Sequence, residues 1–347
     1  MHGPILRLGH TTDRAIRCTG VAPREGLRRR GLVPSGGWHR PSSFFRGAVS
    51  LRRVGRRFDT ISFLSDLGHR DETVGVVKAI VRDMAPHVHV VDLGHDIATY
   101  DVRAGSLALA RSIAYVPAGV VVAAVDAGID NGRGHVAIEV AGGEGVLVGP
   151  DNGLLAPAVA MAGGAGRAVL LDKDDVHLAS AGGLLPVRDI YAPVAAQLCN
   201  GVDLTDLGSA IEADELLPGV VPLPRDVDGG VVTEVLWINR RGDCQLNVGT
   251  DDLAPWGSAA GARLQVIAGT GEHAATRVAE RVDHAGQLGP GSIGLFLDAA
   301  GMLSLCLHRR SAAEELLVGP GDQVVLRPLA DGDRGPGVTS SVELRAR

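Results

Sequence analysis

Residues 58 to 125 alternate strand, helix, strand, helix, strand, and each strand runs out at an aspartate. Phe58–Ser65 reads as a strand ending at Asp66, and Asp71–Met84 carries Val74, Val77, Ile80 and Val81 on one helical stripe before Pro86 stops it. Val88–Leu93 is a second strand, with Asp92 to Asp96 at its end; Val102–Tyr115 is a second helix ended by Pro117; and Val120–Val125 is a continuous apolar strand, rich in β-branched Val, ending at Asp126. Strands alternating with helices imply an α/β fold with a mainly parallel sheet covered by helices. Val136–Val140 and Gly145–Val148 extend the pattern as a strand pair around a glycine turn, and Pro150-Asp151-Asn152-Gly153 leads into a short apolar helix.

Leu217–Gly230, with Pro218, Pro222 and Pro224, then breaks the pattern. Beyond it lie short strands with glycine turns: Val231–Ile238, Cys244–Val248, Arg263–Ala268, Gly294–Leu297, Leu303–Leu307 and Gln323–Leu326. That texture implies a small β-barrel or sandwich, with the barrel-like form preferred. The expected organisation is an extension (1–57), an α/β domain (58–217), a linker (218–230), a β-barrel-like domain (231–330) and a tail (331–347).

Charge separates these parts. The chain has a formal charge of −6, yet residues 1–57 carry 13 Arg against only Asp13 and Glu25, without helical or strand periodicity. Such a segment lacks the apolar content for a core and reads as a disordered basic extension rather than a nucleic-acid arm, so no nucleic-acid partner is expected. The remaining residues hold 21 basic and 38 acidic side chains. No apolar run approaches the ~20 residues of a membrane span, and no apolar block of a secretory signal follows the N-terminal arginines. Four scattered cysteines (Cys18, Cys199, Cys244, Cys306) form no C-x-x-C pair, which favours a reducing cytoplasm over a disulfide scaffold or a zinc site.

In open parallel sheets, ligands bind outside the carboxyl ends of the strands. Asp66, Asp92, Asp96 and Asp126 gather there by sequence position, with Asp151 in the later turn. Nucleotide fingerprints are missing: no G-x-x-x-x-G-K-[ST] occurs, and Gly163–Gly166 lacks strand-to-helix context. His87, His89 and His95 lack a further ligand at metal spacing and read as structural, so no metal is expected. No G-x-S-x-G nucleophile elbow is present.

An ordered series of blocks now resembles the S-adenosylmethionine (SAM) hydroxide adenosyltransferase family, relatives of the fluorinase and chlorinase enzymes. The blocks are Ser65-Asp-Leu-Gly68 with Val74–Lys78, Val91-Asp-Leu-Gly-His95, Asp101–Gly105, Val125-Asp-Ala-Gly128, Gly149–Leu154, Arg188-Asp-Ile-Tyr-Ala-Pro193 and Ser311–Glu314. The resemblance implies hydrolysis of SAM by attack of water or hydroxide at the ribose 5′-carbon, giving adenosine and L-methionine, with SAM as substrate and no cofactor. It implies homotrimers that bind substrate between one subunit's first domain and a neighbour's second. By the same resemblance, Asp66 grips the ribose hydroxyls, Tyr100 lies beside the ribose, and Asp126 with Arg133 activates water. Asn152, Arg188 and Asp189 fall in substrate-side blocks, while Asn239, Asp243, Arg310, Ser311 and Ala312 match the adenine side; Glu314 is expected to cap the following helix.

Three departures stand out. Pro186 occupies the place of the family's third water-activating residue, a His, and Gly182-Gly-Leu-Leu185 replaces the hydroxyl residues upstream. Asn239-Arg-Arg-Gly-Asp243 lacks the aromatic that relatives carry in this strand. A catalytically weak protein that binds SAM or adenosine is therefore the alternative reading. A SAM-dependent halogenase is the lesser one, since Gly183 and Leu184 offer no hydroxyl donors and Asp126 would repel a halide.

Overall fold

The computed structural model describes residues 55–128, 134–180, 182–249, 251–252, 260–269 and 274–329. The basic extension up to residue 54, the tail from residue 330 and Arg133 lie outside them. The chain divides into Met1–Ser42 and a unit from Ser43 onward that contains every element below.

The first sheet contains β1 (Thr60–Ser65), β2 (His89–Gly94), β3 (Gly119–Ala124), β4 (His135–Val140), β5 (Gly145–Pro150), β6 (Ala168–Leu170) and β7 (Ser209–Ile211). Their order is β2-β1-β3-β5-β4-β6-β7. The first four in this order are parallel, and β4, β6 and β7 continue antiparallel. β1 and β3 are both buried along their length; β3 is accordingly a continuous apolar run, whereas β1 buries Thr60, Ser62 and Ser65 among its apolar residues. Helices α1 (Thr73–Met84) and α4 (Ala192–Cys199) pack with Ile61, Phe63, Val122 and Val148 on one face. Leu109 of α2 (Val102–Ile113) and Ala158 of α3 (Ala156–Met161) pack with Val121, Val136 and Leu147 on the other.

Most expected elements are present with shifted ends. Helix α1 begins at Thr73 rather than Asp71, because the Asp71 carboxylate accepts the Thr73 N–H (2.9 Å) in a turn before the helix. Strands β6 and β7 lie below sequence detection, being only three residues long.

The second sheet contains β8 (Arg225–Val227), β9 (Gly230–Ile238), β10 (Cys244–Gly249), β11 (Arg263–Ala268), β12 (Ala275–Arg281), β13 (Ile293–Leu297), β14 (Met302–Leu307) and β15 (Gln323–Pro328). Seven of them close a ring, β9-β10-β14-β13-β12-β11-β15 and back to β9, while β8 pairs outside it on β9. Closure removes the free edges of the seven strands and settles the choice between barrel and sandwich. The interior is filled by Val235, Leu246, Leu264, Val266, Leu295, Leu305 and Leu326. Arg103 of α2 forms an ion pair with Glu234 of β9, and the Arg111 guanidinium lies 4.6 Å from the Trp237 ring centre, so α2 is tied to the barrel wall.

Candidate functional site

The carboxyl edge of the first sheet is organised around Asp66. Its Oδ2 accepts the backbone N–H of Tyr100 (3.1 Å) and of Asp126 (3.2 Å). One carboxylate oxygen thus joins the chain segments that follow β1, β2 and β3. Asp66 Oδ1 accepts no hydrogen bond from the described residues. Both partners have left-handed backbones, Tyr100 at φ 66° and Asp126 at φ 49°. Non-glycine residues adopt that region at a cost and cluster at functional sites.

Asn152 holds the same place from the β5 side. Its Nδ2 donates to the carbonyls of Val125 (3.1 Å) and Asp126 (3.3 Å), and its Oδ1 accepts the Leu154 N–H (3.1 Å). Asp126 is therefore gripped through its N–H by Asp66 and through its carbonyl by Asn152. The Tyr100 ring is largely exposed.

Arg188 and Asp189 do something more local. Asp189 is 2% exposed and takes two hydrogen bonds from Arg188 (2.6 and 2.8 Å) and one from the Leu185 N–H (2.8 Å). Arg188 also reaches Ser180 Oγ (3.2 Å). The pair orders the loop before the π-helical turn Val187–Tyr191, at whose start Pro186 stands. Below this turn, Tyr191 Oη and His135 Nδ1 are 2.7 Å apart and buried, and burial, helped by the nearby His177, depresses the His135 pKa to about 4.

On the barrel, Asn239 and Asp243 close a turn on themselves. Asn239 Oδ1 accepts the N–H groups of Arg241 (2.8 Å) and Asp243 (3.1 Å), and its Nδ2 donates to Asp243 Oδ2 (2.7 Å). Arg241 Nη2 approaches the same carboxylate oxygen at 2.9 Å. The Gly242 carbonyl accepts from Ala312 and Ala313 (both 3.0 Å), which fastens this turn to the loop carrying Arg310, Ser311 and Ala312. Gly242 has φ 80°, and a Cβ there would collide with Ser311 Oγ, so only glycine permits this contact. A cavity of about 470 Å³ opens between them, with Arg309 and His308 also on its wall.

The structure brings Asn239 and Asp243 next to the loop of Arg310, Ser311 and Ala312. The cap is different: Ser311 Oγ, not Glu314, caps the helix Ala312–Leu316 by accepting the Glu314 N–H (3.1 Å), and Arg310 pairs with Glu315 (2.9 Å). Sequence reasoning also misses a chain of contacts that runs from the partly exposed Lys78 and Asp92 to the buried His95 and Ser65. Among the described residues, no group of three His, Cys, Asp or Glu side chains could hold a metal ion.

An α/β sheet with helices on both faces and an acidic carboxyl edge, joined to a closed barrel with a polar turn, defines the class of protein. The SAM hydroxide adenosyltransferase N-terminal domain matches residues 61–208. An (R)-S-adenosyl-L-methionine hydrolase of Salinispora tropica is 36% identical over 76% of this chain and 96% of its own length. One of Thermus thermophilus is 34% identical over 77% of this chain and 98% of its own. A solved structure of an uncharacterised conserved protein from Thermotoga maritima superposes with a TM-score of 0.70 over 77% of this chain and 99% of that one; at 24% identity it shows the shared fold alone. The chain belongs to the SAM hydroxide adenosyltransferase family.

Proposed function

We propose that this protein hydrolyses S-adenosyl-L-methionine, releasing adenosine and L-methionine. The observation that carries the reading is the Asp66 carboxylate. One oxygen fixes the Tyr100 and Asp126 backbones, and the other is left for a hydroxyl of the ribose. A charge-assisted hydrogen bond there is strong and directional. Relatives that share more than a third of their residues over nearly their whole length carry the name of this activity.

The chemistry suits the residues. Water attacks the 5′-carbon in line with the departing sulfur; a C–O bond forms, the C–S bond breaks, and its electron pair returns to sulfur. The sulfonium leaves as a neutral thioether, so no acid is needed. Asp126 orients the water and takes its proton, with Arg133 as its partner by resemblance. Pro186 can neither accept a proton nor orient water, so Asp126 works without the family's His. Tyr100 lies beside the ribose. Asn152 positions Asp126, and Arg188 with Asp189 shapes the neighbouring loop. The reaction as proposed takes SAM as substrate and uses no cofactor.

Asn239, Asp243, Arg310, Ser311 and Ala312 would form the adenine side. Their cavity is lined wholly by barrel residues, which fits a homotrimer whose sites pair one subunit's first sheet with a neighbour's barrel. A cytoplasmic setting fits Cys199, Cys244 and Cys306, which are buried, unpaired and pushed by burial to pKa values of about 12. No helix among the described residues is long and apolar enough to cross a membrane.

The test is chromatography of products from SAM, with and without chloride. Adenosine and methionine in equal amounts, independent of chloride, are expected. Saturable binding without product would leave a SAM-binding protein, and chloride-dependent 5′-chloroadenosine would make it a halogenase.

A further inference from the structure

A line of polar side chains runs beneath the carboxyl edge. Lys78 Nζ contacts Asp92 Oδ2 (2.6 Å), Asp92 Oδ1 contacts His95 Nε2 (3.1 Å), and His95 Nδ1 contacts Ser65 Oγ (2.7 Å). Ser65 is the residue before Asp66. A carboxylate only accepts, so His95 donates from Nε2 to Asp92, while its Nδ1 shares a hydrogen bond with the Ser65 hydroxyl, which can either donate or accept. Ser65 Oγ also accepts the Leu67 N–H (3.4 Å). The His95 carbonyl also accepts the Gly68 N–H (2.7 Å), so His95 holds the Asp66–Gly68 turn at both ends.

Although these are Ser, His and Asp side chains in contact, they form no nucleophile. Ser65 is fully buried and His95 is 1% exposed, with Phe63 and His69 packed edge-on against the imidazole. No substrate reaches them. A buried, hydrogen-bonded imidazole costs stability to desolvate and has to be matched by partners at both nitrogens. Here the Nδ1 partner, Ser65, belongs to the segment that presents Asp66, while Asp92 holds Nε2. One of the chain's two lysines, Lys78, anchors the far end, beside 32 arginines elsewhere.

We propose that His95, acting through Ser65 and held by Asp92 and Lys78, is a positioning residue that sets the Asp66 carboxylate for the ribose. The inference rests on the SAM reading above and makes Asp66 binding geometry depend on a residue that never touches substrate. Its signature is a rise in KM through the ribose contact, with any loss of kcat passing through the Asp126 backbone, and both carried by Asp66.

A double-mutant cycle on the full chain tests it, with SAM turnover and thermal melting as readouts. Ser65→Ala and His95→Gln should each raise KM about 5–10-fold, with a smaller fall in kcat through the Asp126 backbone that Asp66 holds. In an Asp66→Ala background neither should lower kcat/KM further. Unchanged KM, a loss confined to kcat, or losses that add to that of Asp66→Ala would overturn the proposal. A purely structural role would lower the melting temperature and add. Should His95→Gln fail to fold, Ser65→Ala, which removes one hydroxyl, decides alone. A wild-type chain that binds SAM without product fails the hydrolase reading, and the same cycle is then read as Kd for SAM by calorimetry. A wild-type chain that does not bind SAM overturns both.

Discussion

The two halves of the proposed site are built in different ways. On the first sheet, side chains hold backbone across long sequence distances: Asp66 reaches Tyr100 and Asp126, and Asn152 reaches Val125 and Asp126. On the barrel, the Asn239–Asp243 turn satisfies itself, and it is fastened to the neighbouring loop backbone to backbone, from the Gly242 carbonyl to Ala312 and Ala313. The sheet edge devotes its polar side chains to holding backbone that is distant in sequence, whereas the barrel devotes them to the shape of a turn. Substitutions should therefore cost chemistry on the sheet and recognition on the barrel.

The largest expected effect tests the chemical half. Asp126→Asn keeps shape and backbone contacts but removes the base, so kcat should fall about 100- to 10,000-fold with an unchanged melting temperature. Residual activity within about threefold would break the contrast, because the sheet edge would then only bind.

Acid should also strike the sheet half. His135 is buried and neutral in the fold, with a pKa near 4 against 6.5 for a free imidazole. Between those values the unfolded chain binds the extra proton, so stability rises with pH there and is lost as pH falls from about 6.5 to 4. The shift corresponds to about 3 kcal/mol. Denaturant melts at pH 7, 5.5 and 4 should show this loss, and His135→Gln should flatten it. An unchanged slope in the variant would move the acid sensitivity elsewhere.

Asn152→Ala sharpens the comparison at intermediate scale. It frees the carbonyls that fix Asp126, at a cost of about 1–2 kcal/mol, and kcat/KM should fall about tenfold, chiefly in kcat. If KM moved instead, Asn152 would belong to recognition.

Much of this is legible from sequence, for a physical reason that differs between the halves. The central parallel strand announces itself because a strand buried on both faces must be a continuous apolar run, as Val120–Val125 is. The aspartates at the strand ends follow from the same argument. Strand β12 escapes a sequence reading because its residues, Ala275 to Arg281, mix small and charged side chains and pair parallel to β13 only through barrel closure. Asn152 falls in a substrate-side block, whereas its contacts are to backbone; the spacing of a motif does not tell which way an amide points. The role of His95 stays hidden in the sequence because Ser65 meets it only after β1 and β2 pair, and Lys78 reaches its partner Asp92 only after α1 packs on the sheet.

The smallest effects belong to the barrel turn, and they distinguish its two charged members. Arg241 is exposed and its pair with Asp243 lies at the surface, where such pairs contribute about 0–1 kcal/mol. Arg241→Ala should raise KM no more than about threefold and leave kcat alone. Asp243 is 4% exposed and takes hydrogen bonds from both Asn239 and Arg241. Asp243→Ala would leave the half-buried Asn239 amide without its partner, and should raise KM more than Arg241→Ala does, still without touching kcat. Steady-state kinetics on both variants decide the matter. A fall in kcat from either would mean that the barrel turn reaches the reacting carbon, and the division between a chemical sheet edge and a recognising barrel would have to be redrawn.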